Sequence, residues 1–329
     1  MTTEIVLIGL DVVGASIGLA LGEAELDASR TGYDPDGASA RAARTLGAVD
    51  RLAFRPEKAA RNADLVILNT SPELVRDQIQ ALGGVLKPGA VVLDITPLKT
   101  LTSAWASTVL PEERHYIGGA LVINPLHLYD SHLEWKTPRA DLFRGGLFAL
   151  MIPPKTSEKA MDTVLAVAKV IGAAPFFIEP SEVDAVAAVT DSLPALAGAA
   201  LMRVAVEAAG WREIRRMAGR HFATATSAGA SPDAAGLASM LRHNRFNVLA
   251  KLDDLLAELQ AYRTLIASED EEALAERLTS ASEAYHTWRE DRHRSEWARE
   301  EQVGDLDIPK ISTAERLLGI RPLDRKGRK

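Results

Sequence analysis

The sequence predicts an α/β domain with a doubly wound, mostly parallel sheet, followed by an all-α domain. Up to about residue 152, short apolar runs alternate with amphipathic segments, and strands that alternate with helices form parallel sheets covered on both faces. From residue 180 to 288 the chain is rich in Ala, Leu, Glu and Arg, with helical spacing and few breakers. The third observation is a tight, Gly-containing turn after the first apolar run, because such turns open nucleotide-binding units.

That turn is an imperfect dinucleotide-binding fingerprint of a Rossmann-type domain. Between Gly9 and Gly14 the pattern G-x-G-x-x-G is kept, except that Asp11 replaces the second Gly. The second Gly lets the backbone approach the cofactor pyrophosphate, so a carboxylate there adds bulk and charge beside an anion and predicts weak binding. Alternatively, Asp11 caps the following helix and occupies the anion site itself. The cofactor contacts expected from this turn are Gly9, Asp11, Val12, Val13 and Gly14.

An acidic residue after the second predicted strand favours NAD over NADP. Asp34 lies twenty residues after Gly14, where an acid accepts hydrogen bonds from the ribose hydroxyls and repels the extra phosphate of NADP. The alternative is a nucleotide-free domain in which Asp34 only caps the next helix. Because ligands of parallel sheets lie outside the carboxyl ends of the strands, further cofactor contacts are expected from Thr70, Ser71, Pro72 and Thr96.

The elements of the first domain follow from its apolar runs. Strands are predicted at 4–9, 29–34, 64–69, 90–94, 115–124, 146–151 and 175–178. Helices are predicted at 39–46, 73–82 and 99–109. We predict a dinucleotide-binding domain over 1–179, a helical domain over 180–300, and a polar, mobile tail over 301–329.

Composition narrows the class of protein. The 329 residues are 47% hydrophobic and 25% charged, which is ordinary for a globular chain with room for two cores. The formal net charge of −7 argues against a nucleic-acid partner. The absence of cysteine excludes disulfides and thiolate zinc sites, and fits a cytoplasmic protein. We expect no bilayer-spanning segment, no membrane partner, no secretory signal and no metal site.

Seven segments, in this order and spacing, carry a family resemblance. They are IGLDVVGAS (8–16), GYDPD (32–36), DLVILNTSP (64–72), VLDITPLK (92–99), YIGG (116–119), DLFRG (141–145) and GWREIRRMA (210–218). Together they resemble the prephenate and arogenate dehydrogenases of tyrosine biosynthesis, over roughly residues 4–290. The resemblance implies an NAD(P)-dependent oxidative decarboxylase of a small anionic substrate. It also implies a helical dimerisation domain, and the apolar helical half predicts a homodimer.

Several residues that the resemblance makes functional are replaced in this chain. In the family, a His after a Gly-Gly pair removes the substrate hydroxyl proton. The matching place here is Ala120 or, from the distance to the next motif, Asn124, and neither is a base. The Ser that orients that His falls at Pro97, and a substrate-binding His falls at Ser192. The Arg that binds a substrate carboxylate remains as Arg216.

A second His is a candidate replacement base. His127 follows the same predicted strand end as Asn124, and Tyr129 and His132 are the other nearby side chains with useful proton chemistry. The alternative is a surface loop whose His side chains are solvated. The catalytic candidates are therefore Asn124, His127 and Arg216.

The remaining substrate candidates are basic or hydroxyl side chains of the helical half. Four Arg residues lie at 212, 215, 216 and 220, and most of them fit a solvated helix face paired with Glu207 and Glu213. Arg216 is the exception, because the family match makes it a carboxylate-binding residue. The segment 242–245 resembles another family segment. The substrate-binding candidates are Ser192, Arg216 and Arg245.

Two functions fit the sequence. The first is an NAD-linked dehydrogenase of the prephenate or arogenate type, including one with an altered substrate; Asp34, Arg216 and the strand-end loops favour it. The second is a catalytically inactive relative that acts as a binding or regulatory dimer, which Asp11 and the missing His residues favour.

Overall fold

The structure is a computed structural model that describes residues 2–129, 137–231 and 233–294. The chain divides into two compact units. Among the described residues, the first contains those up to Thr96, those of Leu101–Pro180 and those from Tyr285 to Arg294. The second contains Pro97–Thr100 and Ser181–Ala284. The tail predicted over 301–329 lies outside the described residues.

An eight-stranded sheet forms the first unit, in the order β3-β2-β1-β4-β5-β6-β7-β8. Its strands are β1 (Thr3–Ile8), β2 (Ala28–Tyr33), β3 (Arg51–Leu52), β4 (Leu65–Leu68), β5 (Val91–Asp94), β6 (His115–Val122), β7 (Leu147–Met151) and β8 (Ala174–Phe177). Every neighbouring pair is parallel except β6 and β7, which are antiparallel. The predicted mostly parallel, doubly wound sheet is therefore confirmed.

Helices cover both faces of this sheet. They are α1 (Val12–Glu23), α2 (Gly37–Thr45), α3 (Pro56–Ala60), α4 (Pro72–Gly83), α5 (Lys99–Val109) and α6 (Glu158–Ile171). Alternate residues of β1 enter two separate cores: Ile5 and Leu7 pack on one face, Val6 and Ile8 on the other. Burial of both faces explains why the strands are continuous apolar runs rather than alternating ones.

Helices make up the described part of the chain after Pro180. They are α7 (Pro180–Ala187), a π-helical turn (Ala188–Ser192), α8 (Leu193–Glu207), α9 (Trp211–Met217), α10 (Arg220–Ser227), α11 (Ala234–His243), α12 (Arg245–Ala267) and α13 (Glu271–Arg294). The predicted all-α second half is confirmed. By length and composition only, the stretch Pro180–Glu207 is apolar enough to cross a bilayer, which the sequence analysis did not expect of any stretch; core helices of soluble proteins meet the same criterion.

A buried carboxylate explains why residues 97–100 cluster with the helical unit. The two oxygens of Asp184 accept hydrogen bonds from the backbone N–H groups of Lys99 (2.7 Å) and Thr100 (3.0 Å), and so cap the first turn of α5. The carbonyl of Asp184 also accepts from Asn244 Nδ2 at 2.7 Å. Asp184 and Asn244 are both buried, so this polar network is part of the packing of the second unit.

Partial burial makes His115 a source of pH-dependent stability in the first unit. Its Nε2 lies 3.0 Å from the Ser157 hydroxyl, and burial lowers the pKa of the imidazole below its usual value. The unfolded chain therefore binds this proton more readily. The stabilising contribution is present above the unfolded pKa and is lost as the pH falls through the folded pKa.

We accordingly expect the free energy of unfolding to fall on acidification from about pH 7 to about pH 5, and to fall less in His115→Gln. Urea denaturation of the two chains at both pH values measures the difference. Equal losses in the two chains would contradict this role of His115.

Candidate functional site

The turn between β1 and α1 has the shape of a phosphate cradle. Gly9 has a φ of +91°, and a Cβ there would lie 1.6 Å from the Asn69 carbonyl oxygen. A Cβ on Gly14 would lie 2.0 Å from the Gly9 carbonyl oxygen. Both positions therefore require glycine, which accounts for the two that remain in the fingerprint.

Asp11 fills this cradle with its own carboxylate. Its Oδ1 accepts hydrogen bonds from Val13 N (2.9 Å) and Gly14 N (3.1 Å), the donors at the N-terminus of α1, and from Asn69 Nδ2 at 2.6 Å. Helix N-terminal donors of this kind bind the phosphates of nucleotides. This geometry matches the second of the two readings of Asp11, in which its carboxylate caps the helix and takes the anion position.

Asp34 ties the end of β2 to the same turn. Its Oδ2 accepts from Leu10 N at 2.7 Å and its Oδ1 from Asp36 N at 2.8 Å. The cap of α2 is Asp36, which accepts from the N–H groups of Ala38 and Ser39, so Asp34 does not have that role. Each carboxylate oxygen of Asp34 has a second lone pair, which leaves it able to accept from a ribose hydroxyl.

A cavity of about 220 Å³ is lined in part by Tyr33 and Pro35, the sequence neighbours of Asp34. Leu74 and Gln78 are also among its lining residues. Gln78 Oε1 also accepts from the hydroxyl of Thr70 at 2.9 Å, which links this wall to the loop after β4. The partly apolar lining suits a flat heteroaromatic ring.

The other predicted strand-end residues have local structural partners. Ser71 is the N-cap residue of α4 but makes no capping hydrogen bond with its side chain, and Pro72 is the first residue of that helix. Thr96 is buried and donates to Asp94 Oδ1 from both its backbone N–H (2.8 Å) and its hydroxyl (2.6 Å). The Tyr116 hydroxyl donates to Asp94 Oδ2 at 2.6 Å. Thr96 thus belongs to a buried polar network at the end of β5.

Asn124 follows the carboxyl end of β6 and is held by backbone groups. Its Oδ1 accepts from Leu126 N (3.0 Å), which caps a 3-10 turn at Pro125–His127, and its Nδ2 donates to the Asp141 carbonyl (3.3 Å). Ala120, the other match to the family's His, lies inside β6 opposite Ala149. Asn124 is therefore the strand-end residue of the two, and its amide has a clear role in the turn.

His127 lies in a cluster of charged groups on the first unit. Its Nδ1 is 2.6 Å from Arg139 Nη1, and its Nε2 is 3.6 Å from Asp141 Oδ2. The side chain of His127 is only 12% exposed, so the solvated-loop alternative does not describe it. Arg139 N donates to the Ser16 hydroxyl at 3.0 Å, which connects the cluster to α1 of the fingerprint.

The other proton-transfer candidates are less suitable or lie outside the described residues. The Tyr129 and Tyr285 hydroxyls are 2.7 Å apart, and this hydrogen bond raises the pKa of Tyr129, so Tyr129 is a poor base near neutral pH. His132 lies in the part of the chain that the structure does not describe.

The predicted substrate residues of the helical unit have contrasting surroundings. Ser192 is 1% exposed and ends the π-helical turn, and its hydroxyl has no hydrogen-bond partner among the described residues. Such turns occur frequently at functional sites. Arg216 and Arg245 are exposed, and within the described ranges neither side chain has a partner. Glu207, one predicted partner of the Arg cluster, pairs instead with Arg203.

Sequence reasoning missed three polar side chains at these places: Asn69, Arg139 and Arg292. Asn69 and Arg139 contact candidate residues directly, as described above. Arg292, in the last turn of α13, is buried and donates to the Ile123 carbonyl at 2.9 Å, just before Asn124. Burial lowers the pKa of this guanidinium. No local pattern marks Arg139 or Arg292, whereas Asn69 stands at the end of a predicted strand.

The sheet order, the glycine cradle and the helical second unit define a nucleotide-binding α/β protein with an appended α-helical domain. Residues 17–177 match the family described as prephenate dehydrogenase, nucleotide-binding domain, and residues 179–280 match its dimerization domain. The chain belongs to the prephenate dehydrogenase family, whose members are oxidoreductases of tyrosine biosynthesis. The matched region begins at residue 17, after the turn that carries Asp11.

Individual relatives agree with this assignment. The chain is 26% identical to a prephenate dehydrogenase of Bacillus subtilis (strain 168) over 279 residues, covering 83% of this chain and 73% of the relative. The fold is shared with a prephenate dehydrogenase from A. aeolicus in complex with hydroxyphenyl propionate and NAD+, at a TM-score of 0.75, 21% identity, and coverage of 87% and 98%. It is also shared with Synechocystis arogenate dehydrogenase, at a TM-score of 0.67, 20% identity, and coverage of 86% and 99%.

Proposed function

We propose that this protein is an NAD-linked dehydrogenase of an anionic hydroxy acid, of the prephenate or arogenate type, with a rearranged proton-transfer site. The observation that carries the proposal is the cluster of His127, Arg139 and Asp141 after β6. This cluster supplies an imidazole. The position that matches the family's catalytic His does not, because this chain has Asn124 or Ala120 there. When bound, NAD would supply the acceptor for the hydride of the hydroxyl-bearing carbon, and His127 is the residue that would take the hydroxyl proton.

NAD is the proposed cofactor. The cradle of Gly9 and Gly14 fits a pyrophosphate in shape, and the carboxylate of Asp34 and the cavity lined by its sequence neighbours suit an adenosine without a 2′-phosphate. The NAD+ complex of the A. aeolicus relative supports the same choice. Asp11 opposes binding, because a pyrophosphate needs the donors that the carboxylate already uses. We therefore propose weak NAD binding and weaker NADP binding.

The substrate carries at least one carboxylate. Arg216 and Arg245 are exposed cations, and Ser192 offers a buried hydroxyl without a partner among the described residues. Arg forks recognise carboxylates bidentately. We propose that these residues of the helical unit contact the substrate.

The test of the proposal is NAD-dependent product formation. The full chain is incubated with NAD and either prephenate or arogenate, and NADH and the decarboxylated product are quantified together. Equal amounts of NADH and product support the dehydrogenase, even when the rate is low.

A second candidate function is an inactive, ligand-binding dimer. Asp11 in the anion position favours it. Binding of an anionic ligand without any NADH, in both the native chain and Asp11→Gly, would select this candidate over the first.

We propose that the protein is a cytoplasmic homodimer that associates through its helical unit. Large apolar side chains of this unit are exposed in the single chain, including Val204 (69%), Met217 (85%) and Phe246 (85%). Exposed apolar surface of this extent marks an interaction face. The matched dimerization domain supports self-association, and the apolar stretch Pro180–Glu207 then serves packing rather than membrane insertion.

Light scattering without detergent at low micromolar concentration is expected to give about twice the chain mass of 35.4 kDa. Phe246→Glu is expected to weaken the dimer. Phe54→Glu is the matched control, because Phe54 is 99% exposed on the first unit. A clean monomer for the native chain would disprove the dimer.

A further inference from the structure

A cavity of about 180 Å³ lies at the opposite end of the sheet from the glycine cradle. It is lined by His115, the first residue of β6, by residues of α5 and by the loop after β7. Because β1, β4, β5 and β6 are parallel, the start of β6 is at the edge away from their carboxyl ends. The cavity is therefore separate from the proposed cofactor site and from the cluster around His127, both of which follow carboxyl ends.

Two cations line this cavity without a carboxylate partner among the residues that the structure describes. The guanidinium of Arg114 donates to the Leu86 carbonyl from Nε (3.1 Å) and Nη2 (2.8 Å), and to the Glu112 carbonyl from Nη1 (3.1 Å). These acceptors are neutral, and a guanidinium has further N–H donors to offer. Lys155 has no ion pair or hydrogen bond to any described residue. Since the described lining contains neither Asp nor Glu, the cavity attracts an anion.

The rest of the lining combines hydroxyl groups with apolar surface. The hydroxyls of Ser103 on α5 and Thr156 after β7 have no hydrogen-bond partner within the described ranges, so both can donate to an anion. Ala106 and Tyr116 are buried and supply apolar surface. A cavity of about 150 Å³ can hold benzene, so the volume here fits a single six-membered ring.

We propose that this cavity is a binding site for a small carboxylate that carries a single ring. The carboxylate accepts charge-assisted hydrogen bonds from Arg114 and Lys155 and so compensates both charges. The ring lies against Ala106 and Tyr116. A small inorganic anion would leave the apolar surface uncovered, and a neutral ring would leave the two cations unpaired. This inference is independent of the proposed dehydrogenase function, because the ligand is bound without being changed.

Calorimetric titration of the full chain with benzoate tests the chemistry of the site. Benzamide, which lacks the charge, and acetate, which lacks the ring, are the controls. We expect benzoate to bind at least about 10-fold more tightly than either, as for a lost hydrogen bond to a charged group or a lost apolar contact. Binding of benzamide as tight as that of benzoate, or no binding of benzoate, would overturn the proposal.

Two lysine variants test the position of the site. Lys155→Gln is expected to weaken benzoate binding about 3–10-fold, a modest loss because Lys155 is exposed and its ion pair with the ligand is screened by water. Lys159→Gln removes an exposed charge four residues further on that does not line the cavity, and should leave the affinity unchanged. Equal affinities of the native chain and Lys155→Gln would place the benzoate elsewhere and contradict the proposal.

Histidine-15N NMR gives a second readout of position. The His115 side chain is held in the wall of the cavity by its 3.0 Å hydrogen bond with the Ser157 hydroxyl, and its signals are identified by their loss in His115→Gln. Saturating benzoate should shift these signals in the native chain and in Lys159→Gln. The same benzoate concentration should shift them less in Lys155→Gln. Benzoate binding that leaves the His115 signals in place would overturn the proposal, whether or not the protein reduces NAD.

Discussion

Prephenate and arogenate are expected to be oxidised about 10²–10⁴-fold more slowly by this chain than by a relative that keeps the family's His, the range for loss of a positioned general base. Asn124 cannot take a proton, and its amide is engaged by Leu126 N and the Asp141 carbonyl. Pro97 and Ser192 replace two further groups that act with that His in the family. Because such groups act as a unit, their losses are not additive.

The measurement is steady-state NADH formation at saturating NAD, with the native chain, His127→Ala and His221→Ala compared. His221 is an exposed residue of α10 and serves as the control. We expect His127→Ala to remove the residual activity and His221→Ala to leave it unchanged. Ordinary family rates that persist in His127→Ala would show that the base lies elsewhere and that this placement of the active site is wrong.

Asp11→Gly is expected to tighten NAD binding by about 1–3 kcal/mol, or about 5–150-fold in Kd, the range for relieving an unsatisfied polar conflict. The change frees the N–H groups of Val13 and Gly14 and the amide of Asn69, all of which now donate to Asp11 Oδ1. It also removes a negative charge from the pyrophosphate position. Loss of the cap costs only a few tenths of a kcal/mol when the replacement is Gly.

Asp11→Asn separates charge from bulk in this prediction. The amide keeps the size and one acceptor oxygen of the carboxylate but is uncharged, so its gain should lie between those of the native chain and Asp11→Gly. Calorimetric titration of the three chains with NAD provides the comparison. If neither variant gains affinity, the carboxylate does not compete with the cofactor.

The strands that could be predicted are those with a strong local pattern. β1, β4 and β5 are apolar runs buried on both faces, and their order with the intervening helices implies the sheet. β3, with two residues, and α3, with five, are too short to produce a periodicity. The antiparallel pairing of β6 and β7 also has no local signal, because it is set by how the chain returns to the sheet.

The candidate site divides in the same way. Asp11 and Asp34 were predictable because a fingerprint fixes their spacing from a strand and a helix. The contact between Arg139 and His127 could not be predicted. It depends on a fold in which segment 139–142 is hydrogen-bonded to Ser16 and Asn124. The contact between Arg292 and Ile123 joins residues 169 positions apart and was equally invisible.

The central claim is that a family scaffold built for NAD keeps its cofactor specificity while its own carboxylate occupies the anion site. A calorimetric titration of the native full chain, first with NAD and then with NADP, tests it most directly. We predict weak, saturable binding of NAD with one site per chain, and weaker binding of NADP because Asp34 repels the additional phosphate. Binding of NADP as tight as or tighter than that of NAD, or no NAD binding even in Asp11→Gly, would contradict the claim.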